Sequence, residues 1–458
     1  MASDLLLRWQ VGTDTDIGGG RENQDSCFIW ENVRERICVV CVLDGHGREV
    51  GKIAATAARS VLLEFFAAHY TELKTSPYEC LVRAHEIAHM GIKAAFRSEL
   101  ERMDFEVSET EEGYLLKRKM GVQGQPWSCV HGGSSCSICA LVDGRLYIAN
   151  VGDSTGTLCS LQPVLSRANV HPLGDSALAA GARAREPTVA DTERSTTIVL
   201  TAEHSPECPY EYIRLRDFRP REGDPRQPSL NVVYDTPSHE KVNCPQVFAL
   251  NEGGQPVVTN KGSYYKNVRK EWASLVSTPP SARFQDALAF TRSLGDLHLH
   301  TYGVTHYPEV QMVDLRGVFS ALVSNAVPMA TVAAVGGGAG AGAGAGTGDQ
   351  LSDGTTDSEQ SNKTAASTPP MLCLVLATDG VWDNWTYEDV TRFVMDSSCV
   401  DAVAAGADGA HRVALSFMQR NAFYSKRNFG NQADNATGIV LYISPAQSFP
   451  VTSPDFDA

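Results

Sequence analysis

The sequence predicts a layered α+β fold built on antiparallel strands. Three observations carry this. The run Ile37 to Leu43 (ICVVCVL) is apolar and stops at Asp44-Gly45-His46-Gly47, and the stretch from Leu372 through Asp379-Gly380 (LCLVLATDG) repeats the pattern with a second Asp-Gly tip, so both read as buried strands. Ser135 to Val142 and Arg145 to Val151 flank Asp143-Gly144, the strongest hairpin signal in the chain. Helical patterns come in groups between groups of strands rather than alternating with them, which argues against a doubly wound parallel sheet.

Taken in order, Cys27 to Trp30 and Arg36 to Leu43 are two strands joined by a polar turn. Apolar residues at helical spacing predict a helix over Val50 to Tyr70. A second helix spans Pro77 to Leu100, with Ser76 as N-cap and Pro77 at its first position. Glu101 to Trp127 is polar and weakly patterned, a loop or extension. Thr157 to Leu161 and Thr196 to Leu200 continue the strands. Ser205 to Arg283 is rich in Pro, Gly and charge, an irregular excursion with short elements. Asp286 to Leu294 is compact and apolar, and Pro308 to Asp314 is another strand. Ala321 to Pro370 contains GGGAGAGAGAGTG and a Ser/Thr/Asp/Gln tract, a low-complexity insertion that cannot bury enough apolar surface to order itself. Tyr387 to Asp396 and Ala402 to Asn421 are helical, and Ala436 to Ile443 is a last strand. The expected organisation is one catalytic domain over residues 1–445, with insertions at 101–127, 205–283 and 321–370 and a loose tail at 446–458.

The chain has 458 residues, is 43% hydrophobic and carries a net charge of −15, enough for a large core. The acidic balance makes a nucleic-acid or anionic-membrane binder a poor reading. No stretch resembles a signal peptide or a membrane span, and Ala2 excludes N-myristoylation, so an intracellular setting, cytoplasmic or nuclear, is expected. The twelve cysteines are then free thiols. Cys38/Cys41 and Cys136/Cys139 have zinc-like spacing, but residues three apart on a strand face opposite ways, which favours core packing. Oligomeric state is not legible.

Acidic or glycine-bearing clusters end the apolar runs in a fixed order: Arg21 to Asp25, Asp44 to Gly47, Gly152-Asp153-Ser154, Asp379 to Asp383 and Asp434-Asn435. A carboxylate at the tip of a buried strand suits a hard cation such as Mg²⁺ or Mn²⁺, which prefers oxygen ligands. Asp44, Asp379 and Asp434, with Asp153 and Asp25 nearby, suggest a binuclear site in which a bridging water becomes a hydroxide aimed at phosphorus. His46, two residues after Asp44, is placed to protonate a departing alkoxide. Asp-Gly is also the commonest turn dipeptide, and that bland reading is kept for Asp143 and Asp353.

RENQDS, VLDGHG, GGSSCSICALVDGRLYIANVGDS, LTAEHSPE, LAFTRSLGD, LATDGVWD and ADNATGIVLYI, in this order from about Arg21 to Ile443, resemble the motif set of the metal-dependent protein phosphatases of type 2C. The resemblance implies an αββα sandwich of two antiparallel sheets. It implies a phosphatase that hydrolyses phosphoserine or phosphothreonine on protein substrates by direct attack of a metal-bridging hydroxide. Asp44 would bridge two ions, the Gly45 carbonyl would hold one, and Asp379 and Asp434 the other. Asp153 would serve a weaker third ion and Asp25 would act through waters. His46 would be the general acid and Arg21 would hold the phosphate.

Departures from the pattern are Gln24 in place of Glu, which implies weaker affinity for one ion, Thr155 in place of an arginine, Glu203 in place of Asp, and Arg21 one position nearer Asp25 than in several members. They leave a pseudophosphatase or phosphoprotein-binding module as the alternative, with a hydrolase of non-protein phosphate esters behind it. Arg214, Arg216, Arg219, Arg221 and Arg226 would make an acidic-substrate flap or a solvated loop neutralised by Asp217, Glu222 and Asp224. His298 and His300 are a metal pair or a solvated strand end, and His204 is structural.

Overall fold

A computed structural model describes residues 6–119, 126–174, 193–219, 230–237, 243–326 and 370–446. The architecture is α+β with antiparallel sheets. One sheet has six strands in the order Val170–Leu173, Glu309–Asp314, Arg145–Val151, Cys136–Val142, Ile37–Leu43 and Ser26–Asn32. The other has five, in the order Leu7–Asp16, Ala436–Pro445, Leu372–Ala377, Thr155–Ser160 and Thr197–Val199.

The unbroken apolar runs follow from burial on both faces. Along Ile37–Leu43, Cys38, Val40 and Val42 point into a core shared with Leu372, Leu374 and Leu376 of the other sheet. Ile37, Val39, Cys41 and Leu43 point the other way, onto the helices Gly51–Thr75 and Pro77–Arg102. Cys373, Val375 and Ala377 likewise turn outward, onto the helices Tyr387–Val394, Ser397–Ala405 and Gly409–Phe429. The two sheets therefore share one core, and each carries helices on its outer face. The cysteine pairs split as strand geometry requires. Cys38 and Cys139 lie in the inter-sheet core, and Cys41 and Cys136 under the helices, with 4.0 Å between the last two sulfurs.

Local chemistry sets the joints. The hairpin at Asp143-Gly144 pairs Arg145 with Val142, and its two turn residues take φ of 47° and 79°. That conformation suits Asp-Gly. Pro77 opens its helix as expected, but the Ser76 side chain makes no capping bond, because Ser76 also closes the preceding helix through its N–H to Glu72 O.

Several expectations need correction. The first strand, Leu7–Asp16, pairs with the last along ten residues and was not expected. Its Thr and Asp residues hide it, because it lies at a sheet edge. Residues 101–127 contain a hairpin, Phe105–Thr110 with Gly113–Arg118. The helix expected over Ala402 to Asn421 is parts of two, Ser397–Ala405 and Gly409–Phe429, broken at Gly406. Ala321 to Ala326 complete the helix Leu315–Ala326 and do not belong to the low-complexity insertion, whose residues 327–369 lie outside the described set, as does the tail at 447–458.

The Ser205–Arg283 excursion has a core of its own. Leu215, Val232, Tyr234, Val247, Phe248 and Val276 pack with Leu288, Phe290 and Leu299. It is fastened by a buried ion pair. Glu211, on the helix Pro209–Asp217, accepts from Arg292 at 2.5 Å and from Thr291 at 2.7 Å, and Arg214 reaches the same carboxylate at 2.8 Å. Burial opposes the Glu211 charge, but Arg292 and Arg214 outweigh it and hold its pKa well below the ordinary 4.5. This stabilisation is complete above about pH 4.5 and is lost as pH falls towards the depressed value. Glu211→Gln should cost about 3 kcal/mol at pH 7, with the difference from wild type closing below about pH 4. Urea unfolding across that range measures both.

Candidate metal centre

Both sheets deliver an acidic tip to one place. Asp44 follows Ile37–Leu43 in the six-stranded sheet. Asp379 follows Leu372–Ala377 in the five-stranded sheet and opens a four-residue helix after Thr378. Asp153 lies in the turn between Arg145–Val151 and Thr155–Ser160, where the chain passes from one sheet to the other. Asp434 precedes the last strand, and Asp25 precedes Ser26–Asn32.

These five carboxylates converge. Burial first, then the charges of Asp379, Asp25, Asp434 and Asp153, push Asp44 well above the ordinary carboxylate range. Burial, then Asp153, Asp383 and Asp434, do the same to Asp379. Burial lifts Asp25 to about 6, although the Thr378 hydroxyl donates to it at 2.9 Å. Asp25 Oδ1, Asp153 Oδ1 and Asp379 Oδ1 are buried without a hydrogen-bond partner among the described residues. A buried oxygen without a partner costs about 1–3 kcal/mol, and more when charged. An all-oxygen set of this kind fits a hard divalent cation.

The backbone around the site is built for close approach. A Cβ on Gly45 would stand 2.3 Å from Gly51 O and 2.7 Å from Gln24 O, so only glycine fits there. Gln24 donates its side-chain amide to Gly47 O at 3.0 Å and its N–H to Asn435 Oδ1 at 2.7 Å. It is a tie between loops. A glutamate could not donate to Gly47 O, so this tie depends on the amide.

His46 Nε2 lies 2.8 Å from Asp296 Oδ2, and its ring meets Phe290 edge-on at 5.3 Å. Burial disfavours the imidazolium, but the charge and hydrogen bond of Asp296 outweigh it and raise the His46 pKa. Arg21 is not drawn in; it stands exposed on the loop before Asp25.

A cavity of about 350 Å³ adjoins the cluster, lined by Asp153, Thr155, Lys266, Arg269, Asp379 and Asp383 among others. Burial lifts Asp383 to about 7 against the pull of Lys266 and Arg269. These two cations were not expected from the sequence, since they lie in an irregular segment with no periodicity to mark them. The flap arginines do not take this place. Arg214 is bound to Glu211 and Arg216 to Asp217, and Arg219 donates to backbone carbonyls. Arg221 and Arg226 lie outside the described residues, as does Asp353.

His204 is buried, with its Nδ1 3.3 Å from Asn150 Nδ2, a structural place. His298 and His300 are not a strand end; they belong to the helix Leu297–His300. The His298 ring nitrogens face Glu112 O at 3.0 Å and Phe284 O at 3.1 Å. His300 and His306 stack on His89 at 4.6 Å and 4.3 Å. Their ring nitrogens lie within 4.8 Å of one another. His89 Nδ1 accepts from Gly295 N–H at 3.2 Å, which leaves its proton on Nε2. Burial and mutual repulsion bring His89 to about 2 and His300 to about 4, so the stack is neutral.

Seven ordered motifs thus meet in a site whose carboxylates come from five separate segments. The chain resembles the type 2C protein phosphatases. No protein-family model matches it, and no curated protein does. Among solved structures it is similar to a serine-threonine phosphatase 2C from Toxoplasma gondii, at 14% identity and a TM-score of 0.47, over 95% of each chain. It is similar to a C. elegans sex determining protein at 15% identity and a TM-score of 0.45, over 96% of this chain and 65% of that one. A third is the catalytic domain of the serine threonine protein phosphatase PstP in complex with two manganese ions, at 12% identity and a TM-score of 0.38, over 96% and 100%. At such identities the chemistry is decided by the side chains themselves. No helix among the described residues is long and apolar enough to cross a membrane.

If the cluster holds divalent ions, Mn²⁺ at a hundred times its dissociation constant should stabilise the protein by about 2.7 kcal/mol. Asp44→Asn should stabilise the metal-free protein, by removing a crowded carboxylate, and abolish the Mn²⁺ response. Thermal melts with EDTA and with Mn²⁺ read both effects.

Proposed function

We propose that this protein is a divalent-metal-dependent protein serine/threonine phosphatase, with residues 1–445 as its catalytic unit and phosphorylated proteins as substrates. The observation that carries the reading is the convergence of Asp25, Asp44, Asp153, Asp379 and Asp434 with three buried carboxylate oxygens that have no hydrogen-bond partner among the described residues.

Asp44, the Gly45 carbonyl, Asp379 and Asp434 would hold a pair of Mg²⁺ or Mn²⁺ ions, with Asp153 on the outer side and Asp25 acting through water. Such a pair supplies an activated water and neutralises phosphate charge. Gly45 lets the backbone approach without a Cβ in the way. Gln24 and Asn435 lock the loops that present Asp25 and Asp434. Arg21, exposed on the loop before Asp25, would swing in to receive the phosphate. His46, whose charged form Asp296 favours, would hand its proton to the departing seryl or threonyl oxygen, so that no covalent phosphoenzyme is needed.

Two measurements test this. Phosphopeptide hydrolysis should be abolished by EDTA, restored by Mn²⁺ or Mg²⁺, and nearly lost in Asp44→Ala and Asp379→Ala. A folded wild-type protein that binds Mn²⁺ but cleaves neither phosphopeptides nor small phosphates would instead be a phosphoprotein-binding module. His46→Ala should lower kcat on phosphopeptides by about 10²–10⁴, and by much less on p-nitrophenyl phosphate, whose leaving group needs no proton. Equal losses on both substrates would remove His46 from the acid role.

A further inference from the structure

The outer half of the acidic site already faces a cation. Asp153, Asp379 and Asp383 line one wall of the cavity beside the centre, and Lys266 and Arg269 line the same cavity. Arg269 is committed elsewhere. It donates to Trp382 O and, at 3.2 Å, to Trp385 O, and its guanidinium lies 5.1 Å over the Tyr387 ring. Its role is to fasten the excursion to the short helix that carries Asp379.

Lys266 is held by that fastening. Residues 265–272 form a tight hairpin in which Tyr265 bridges Trp272, their rings stack at 4.0 Å, and Lys266 N–H donates to Glu271 O at 2.8 Å. Val268 N–H donates to Asp383 O at 3.1 Å, so the hairpin is bonded to the same turn as Asp383. Behind it, Glu271 Oε2 stands 3.9 Å from Lys266 Nζ, and the lysine side chain keeps only 30% of its exposure.

We propose that Lys266 is a tethered monovalent cation that supplies, from across the cavity it shares with Asp153, Asp379 and Asp383, the positive charge an outer divalent ion would bring, so that the centre takes two divalent ions and not three. The proposal rests on the reading of these aspartates as metal ligands and sharpens it, since the sequence resemblance implies a weaker third ion at Asp153. The electrostatics agree. Burial opposes the ammonium charge, and Asp153, then Glu271, Asp383 and Asp379, outweigh it. Lys266 is also the strongest influence holding Asp383 down against burial. An ammonium on a hairpin tied at two points cannot diffuse away, and it excludes a second cation by like-charge repulsion. Its nearest carboxylate is Glu271, so it acts on Asp153, Asp379 and Asp383 through charge across the cavity they share.

The test is Mn²⁺ stoichiometry on the full chain, by titration calorimetry and by the EPR signal of unbound Mn²⁺. Wild type and Lys266→Arg should bind two ions per chain, and Lys266→Met, which keeps the length and removes the charge, should bind one more. Equal numbers and affinities in wild type and Lys266→Met would overturn the proposal. A second measurement needs no variant. Anomalous scattering from wild-type crystals soaked in Mn²⁺ should show two peaks, with Lys266 Nζ facing Asp153, Asp379 and Asp383 across the cavity. A third peak there, with Lys266 swung aside, would overturn it. A wild-type protein that binds no Mn²⁺ would remove the metal-centre reading itself, a result distinct from an unchanged Lys266→Met.

Discussion

Crowding carboxylates into a poorly hydrated corner is unfavourable, and the rest of this structure is arranged to hold them there. Asp44, Asp379, Asp153, Asp25 and Asp434 repel one another, and burial adds to the cost of their charges. They remain together because their carrier segments cannot retreat. Ile37–Leu43 and Leu372–Ala377 are buried on both faces, between an inter-sheet core and a layer of helices. Moving either tip outward would break packing on two sides at once. The loops between the tips are tied by Gln24 to Gly47 and Asn435, and Thr378 donates to Asp25. A divalent ion would turn the repulsion into coordination, which is why a rigid scaffold with a destabilised apo centre makes chemical sense.

The excursion after His204 contributes to the centre as well as bordering it. Its own small core gives it a fixed shape, and the Glu211–Arg292 pair anchors one end beside Thr291, two residues before Ser293. Its far hairpin is anchored by Arg269 and Val268 to the helix of Asp379. The segment therefore spans the ground between His46–Asp296 and the outer carboxylates. An insertion fixed at both ends can place a charge with the accuracy of a strand, and Lys266 is placed in that way.

How much could be read in the sequence depended on whether the signal was local. Apolar runs ending in Asp-Gly, the Asp143-Gly144 turn and the helical periodicities after Gly47 and Ser76 are local, and the structure has those elements to within a few residues. The edge strand Leu7–Asp16 carries alternating polar residues and no run of apolar ones, so only its ten-residue pairing with Ala436–Pro445 reveals it. The arginines at 214 and 216 looked like a substrate flap by composition, yet each has a carboxylate beside it. His298 and His300 looked like a pair by spacing, yet two residues apart on a helix they face nearly opposite ways, and His300 stacks instead with His89 from a distant helix.

By itself the sequence determined the acidic tips, their order, the buried strands behind them and the imidazole two residues from Asp44. Each of these is a property of a few consecutive residues, because side-chain periodicity and turn chemistry act over short distances. Only the tertiary structure decided that Gln24 is a tie between loops, that Asp296 holds His46, and that Lys266, more than a hundred residues from Asp153 and from Asp379, lines the same cavity as both. Those facts depend on which surfaces two sheets and an insertion bring into contact, and no local pattern of residues encodes that.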